Sequence, residues 1–172
     1  IEQLQWDESL YDLFQRVRLV SMPIVNPVGF VHLKRSNGNG VDLMRNAPID
    51  SDEKVLPLIG GHYISPKLMW YRGKRDEMEK ESHTLCQFVK NEMLASKYAV
   101  SIDFHSGFGF KDRLWYPYAC STKRFKELDK VENLKRLLEK TIPHHIYKIE
   151  PQSDNYTTHG DLWDYLYFHK KE

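Results

Sequence analysis

The chain has 172 residues, 41% hydrophobic and 28% charged, which suits one ordinary folded domain and excludes a largely disordered tract. Lysine plus arginine number 25 against 24 acidic residues, a net charge of +1, so composition makes no case for a nucleic-acid or anionic-membrane partner. No apolar run approaches the roughly 18 residues that span a bilayer. The two cysteines, Cys86 and Cys120, cannot build a disulfide framework and read as free, half-buried thiols.

Asp7 to Val17 carries Leu10, Leu13, Phe14 and Val17 at the i, i+3, i+4, i+7 spacing of an amphipathic helix, with Asp7 as N-cap. Leu19 to Val25 is rich in β-favouring residues, and Asn26-Pro27-Val28-Gly29 reads as the turn that ends it. Ser36-Asn37-Gly38-Asn39-Gly40 is a second, tighter turn. Ala47 to Tyr71 loses periodicity and holds Pro48, Pro57, Gly60, Gly61 and Pro66; a loop of that length in a compact domain is usually functional.

Lys74 to Ser96 reads as a long helix with Leu85, Phe88, Val89 and Met93 on one face. Tyr98 to Phe104 is a strand pattern that runs into His105-Ser106-Gly107, and Leu114 to Ala119 is another strand pattern. Thr122 to Thr141 reads as a charged amphipathic helix with Phe125, Leu128, Val131, Leu134 and Leu138 inward. Ile146 to Ile149 suits a strand, and Asp161 to Phe168 a further helix. Helices alternating with short strands predict an α/β fold, a mixed central β-sheet flanked by helices, as one domain over residues 1–172.

The chain starts at Ile1 without Met or a signal-type segment, and it ends at Phe168-His169-Lys170-Lys171-Glu172 without a breaker. Both ends read as cut, which suggests an internal fragment incomplete on each side. With no signal peptide in view, the expected location is cytoplasmic.

Three segments could carry chemistry. In Asp103-Phe104-His105, a strand would point Asp103 and His105 the same way. The carboxylate could then orient the imidazole for ligation or catalysis, or the pair could be no more than a hydrogen-bonded core histidine. Arg35 and Arg45 flank a glycine-rich turn. Guanidinium groups suit bidentate grip on a carboxylate or stabilisation of an oxyanion; the alternative is a surface turn in which Asp42 pairs with one arginine. In Asn155-Tyr156-Thr157-Thr158-His159-Gly160-Asp161, Tyr156 could reach over a pocket as a donor, or the segment could be a helix start capped by Thr158 or Asp161.

Other constellations fail. There is no phosphate-binding glycine loop, no Gly-x-Ser-x-Gly elbow and no Cys-x-x-Cys pair. His144 and His145 would point to opposite faces of a strand. The His-x-x-Glu at His169 to Glu172 is expected by chance about 0.6 times in such a composition and carries no weight.

Taken in order, these segments resemble the zinc carboxypeptidase family of metallopeptidases. Pro23 to Gly29 resembles its Asn-Pro-Asp-Gly turn. Arg35-Ser36-Asn37 followed by Gly40-Val41-Asp42-Leu43-Met44-Arg45-Asn46 resembles its Arg-Lys-Asn and Gly-Val-Asp-Leu-Asn-Arg-Asn run. Asp103-Phe104-His105-Ser106 resembles the strand with its third zinc ligand, and Leu114-Trp115-Tyr116-Pro117-Tyr118 its Tyr-Pro-Tyr strand. Tyr156 to Gly160 resembles the Tyr-x-x-x-Gly loop of its substrate-binding tyrosine.

The resemblance implies a carboxypeptidase-like fold and zinc-dependent hydrolysis of a peptide bond. His105 would ligate Zn2+, Arg35 would stabilise the oxyanion, Arg45 would hold the substrate's terminal carboxylate, and Tyr156 would hydrogen-bond the bound peptide. Met44 stands where the family has an asparagine, which opens an alternative: an amidase or deacylase acting on N-acyl amino acids or cell-wall peptides. A third reading is a binding module on the same scaffold without catalysis. The family's first ligand pair and its general-base glutamate match nothing in this chain, so the isolated chain is expected to be inactive.

Overall fold

The structure, a computed structural model, describes residues 7–94, 96–105 and 110–170. A 3-10 turn at Glu8–Leu10 leads into α1 (Tyr11–Phe14), followed by α2 (Pro27–His32) and a 3-10 turn at Leu43–Arg45. Then come α3 (Lys80–Met93), β1 (Arg113–Tyr116), α4 (Leu128–Thr141), β2 (Lys148–Pro151), a 3-10 turn at Gln152–Asp154 and α5 (Leu162–Phe168).

β1 and β2 pair in parallel, from Arg113 opposite Lys148 to Tyr116 opposite Pro151, and α4 lies in the crossover, as a parallel pair requires. The arrangement is compatible with an α/β fold. The expected mixed central sheet is corrected: among the described residues the sheet has two strands and is parallel. Leu19 to Val25 and Tyr98 to Phe104 belong to no ladder there. Tyr98, Val100, Ile102 and Phe104 are strongly exposed. A β-type pattern favours a strand, but a strand also needs a neighbour to take its N–H and C=O groups.

Helix boundaries shift for local reasons. The α1 stripe of Leu13, Phe14 and Val17 is exposed, and a short helix without a packing partner does not extend far. The segment at Asn26, expected as a turn, instead starts α2: the Asn26 side chain accepts the Gly29 N–H at 2.8 Å and proline occupies the first turn. α3 begins later than Lys74, because Gly73 and Asp76 adopt left-handed conformations that a helix cannot continue through. α4 begins later than Thr122, whose hydroxyl donates to Glu53 at 2.6 Å while Lys123 pairs with Asp52. The predicted face of α4, from Leu128 to Leu138, is the half-buried one, and the helix buries no residue fully.

The core joins α3, α5 and the turn at Leu43–Arg45. Ala47, Leu85, Cys86, Val89, Leu162 and Leu166 form the buried cluster, with Met44 and Trp163 packed against it. Burial of each Leu or Val contributes about 1.5–3 kcal/mol. Cys86 and Cys120, expected half-buried, are fully buried and free. Arg72, itself buried, ties down the long loop after Ala47: it donates to the carbonyls of Arg45 (3.0 Å), Ala47 (3.2 Å) and Ile49 (2.9 Å) and pairs with Asp50. No helix among the described residues is long and apolar enough to cross a membrane.

Candidate active site

The turn predicted at Ser36 to Gly40 is closed by Asn37, whose side-chain oxygen accepts the N–H groups of Asn39 and Val41, each at 3.0 Å. It sets Arg35 against the start of the next turn. Arg35 Nε donates to Asp42 Oδ2 at 2.6 Å while Asp42 Oδ1 accepts the Met44 N–H at 3.2 Å. The ion pair of the surface-turn reading therefore forms, with Arg35 as the partner. It uses one of three guanidinium nitrogens, and the Arg35 side chain is 45% exposed.

Arg45 sits differently. It is 3% exposed, and it donates to the carbonyls of Met44 (3.2 Å) and Ile59 (3.4 Å). Its guanidinium carbon lies 5.9 Å from the centre of the Tyr156 ring. Among the described residues no carboxylate forms an ion pair with it. Gly160 explains how the two segments approach so closely: at φ +71°, a Cβ there would fall 1.8 Å from the Arg45 carbonyl oxygen, so no side chain fits.

His105 is not a core residue. Its side chain is 50% exposed, and its Nε2 donates to Asp103 Oδ2 at 2.8 Å. The same oxygen accepts Trp163 Nε1 at 3.0 Å. The hydrogen bond that His105 donates to Asp103 raises the His105 pKa above its ordinary value, against burial, and Arg35 and Asp161 both act on it electrostatically. Ser106 and Gly107, which follow in the predicted motif, lie outside the described residues, as does Glu172 of the chance His-x-x-Glu.

Behind this region α5 opens on two buried carboxyls. Asp161 Oδ1 caps the helix by accepting the N–H groups of Trp163 and Asp164, both at 2.9 Å. Burial first, and then the neighbouring Asp164, push the Asp161 pKa up to about 7, and Arg45 opposes the shift. Burial also raises Asp164.

The four predicted residues thus fall into two linked groups. Arg45 and Tyr156 meet directly, and Arg35 lies within electrostatic reach of His105. Asp161 acts on both His105 and Arg45. No hydrogen bond joins His105 to either arginine among the described residues.

A family model described as zinc carboxypeptidase matches residues 1–171. The chain belongs to the zinc carboxypeptidase family. No curated protein matches it. Membership in the zinc carboxypeptidase family accounts for the ordered segments around Arg35, Arg45, His105 and Tyr156, and it points to hydrolase chemistry. Catalytic zinc takes three protein ligands and a water, yet no group of three His, Cys, Asp or Glu side chains converges among the described residues. The described residues therefore do not make up a zinc site by themselves. His105, with Nε2 held by Asp103, keeps Nδ1 as the nitrogen with a lone pair to offer.

Sequence reading missed several neighbours. Asp161 was visible as a possible cap, but not as a charge near Arg45. Trp163 and Glu150 carry no motif signal; their contacts arise from packing across the fold.

Proposed function

We propose that the protein hydrolyses a peptide bond beside a free C-terminal carboxylate, in a zinc-dependent reaction of the carboxypeptidase type. The observation that supports this reading most is Arg45, a buried guanidinium with no ion-pair partner among the described residues. A buried, unpaired charge is costly, and a substrate carboxylate is the group whose arrival offsets that cost. Charge-assisted, bidentate binding of a carboxylate is what guanidinium geometry suits.

In this reading Arg45 binds the terminal carboxylate and Tyr156, over the same guanidinium, donates its hydroxyl to the bound peptide. Arg35, braced by Asp42 through Nε, keeps its terminal nitrogens for an oxyanion. Asp103 orients His105. His105 is one of the zinc ligands in this reading, and the isolated chain is expected to be inactive.

Met44, which motivates the amidase or deacylase alternative, packs against the core cluster and offers no donor to a carboxylate. The proposed substrate is a peptide or a small acyl amino acid, and the proposed setting is the cytoplasm.

The test uses the protein itself. Its zinc content is measured, and so is release of the last residue from a blocked dipeptide and from the C-terminal amide of that dipeptide. Chelator-sensitive cleavage of the acid and not of the amide is expected. A protein that binds zinc but cleaves both equally would point to the amidase, and one that binds no metal would end the hydrolase reading.

A further inference from the structure

We propose that Glu150 is a positioning residue for Tyr156: with Trp115 and Asn155 it holds the tyrosine ring beside the Arg45 guanidinium before a ligand arrives. The inference rests on the reading that Arg45 and Tyr156 bind a substrate carboxylate, and it adds the device that sets their spacing.

The parallel register places Glu150 directly opposite Trp115. Glu150 is 8% exposed, and a carboxylate is acceptor-only, with about four lone-pair positions to fill. Arg113, Trp115 and Asn155 converge on Oε1, and Lys148 reaches Oε2. Arg113 and Lys148 pair with it along the strands. Trp115 Nε1 reaches Oε1 at 3.2 Å, and Asn155 Nδ2 reaches the same oxygen at 3.0 Å.

Two of those donors touch Tyr156 by different routes. Asn155 is its neighbour in the chain, and its side-chain oxygen also accepts from Arg113 at 3.2 Å. The Trp115 indole meets the Tyr156 ring edge-on, with centroids 6.0 Å apart and planes at 85°, a favoured aromatic geometry. The backbone adds Tyr156 N–H to the Gln152 carbonyl at 3.3 Å. One buried carboxylate therefore grips the tyrosine's chain neighbour on one side and its ring contact on the other. The Arg45 guanidinium carbon lies over that ring, 5.9 Å from its centre. Interactions held before binding reduce the ordering cost that binding would otherwise carry.

The experiment compares the chain with Glu150→Gln, Trp115→Phe and Tyr156→Phe. Backbone hydrogen exchange is followed over residues 152–158 and over α3, and affinity is measured for N-acetyl-L-phenylalanine. Glu150→Gln keeps the shape and weakens the grip. It is expected to speed exchange over residues 152–158 several-fold with α3 unchanged, and to weaken the probe about tenfold. Trp115→Phe, which keeps an aromatic ring and removes the Nε1 donor, is expected to do the same to a smaller extent.

If Glu150→Gln leaves exchange over residues 152–158 at the native rate, the positioning role is overturned, whatever the probe does. If Glu150→Gln also loses α3 protection, Trp115→Phe decides alone: faster loop exchange supports the role and native exchange overturns it. Failure of the carboxylate reading looks different. Tyr156→Phe would then bind the probe as tightly as the native chain, while the exchange result still stands for or against Glu150.

Discussion

One oxygen of the buried Asp164 carboxyl accepts the N–H groups of Cys120 at 2.7 Å and Ala119 at 2.8 Å, while its other oxygen has no hydrogen-bond partner among the described residues. This joins the start of α5 to the segment after β1. It also leaves Asp164 beside Asp161 in a place that resists a second negative charge.

The pair makes stability depend on pH. An aspartate whose folded pKa is raised to about 7, from an ordinary value near 3.8, holds its proton more tightly folded than unfolded. Its stabilising contribution is full below about pH 4 and is lost as pH rises through 7. Asp161→Asn, which can still cap the helix, is therefore expected to raise the melting temperature at pH 8 by at least ~2–4 °C, equivalent to about 1 kcal/mol. At pH 4 the gain should vanish. Melting curves at both values check this, and an equal gain at the two would contradict it.

Glu150 has the opposite sign. Burial works against its charge, but the donors Lys148, Asn155, Trp115 and Arg113 outweigh it and lower its pKa to about 2. A depressed carboxylate stabilises the fold above about pH 4.5 and loses that contribution as pH falls toward 2. Acid unfolding of Glu150→Gln should show a shallower loss of stability between these values than the native chain. Superimposable acid titrations would count against the four-donor arrangement.

Arg45→Lys keeps the charge and gives up the fork. Affinity for N-acetyl-L-phenylalanine is expected to fall about 10- to 100-fold, while its C-terminal amide binds both forms alike. Calorimetry with the two probes measures the difference directly.

Gly160→Ala tests the close approach behind Arg45. A Cβ 1.8 Å from the Arg45 carbonyl oxygen, at a backbone conformation that alanine rarely adopts, is expected to cost on the order of 3 kcal/mol. Denaturant midpoints read this cost, and a midpoint within error of the native chain would mean that the two backbones are not in contact.

Much of the site was legible because its local parts are short-range. Asp103 and His105, two residues apart, do form a hydrogen bond; Asn37 closes its own turn; Asp161 caps its own helix. The face of α3 with Leu85 and Val89 followed from helical spacing, and so did that of α4. The strand patterns at Leu19 to Val25 and Tyr98 to Phe104 were less informative, because pairing is a property of two segments and the pattern describes one.

Sequence alone determined the family, the turn chemistry and the residues able to carry charge-assisted recognition, since these depend on residue type and spacing within a few positions. Tertiary structure alone decided that Arg45 is buried with no carboxylate in an ion pair with it among the described residues, while Arg35 is exposed and paired, although both stand in the same motif. It also decided that Glu150 reaches Trp115 and Asn155. Burial and ion pairing depend on which distant segments meet. Gly160 arriving at Arg45, and β2 arriving at β1, come about through packing of the core between α3 and α5 and through the parallel register, neither of which is encoded at those positions themselves.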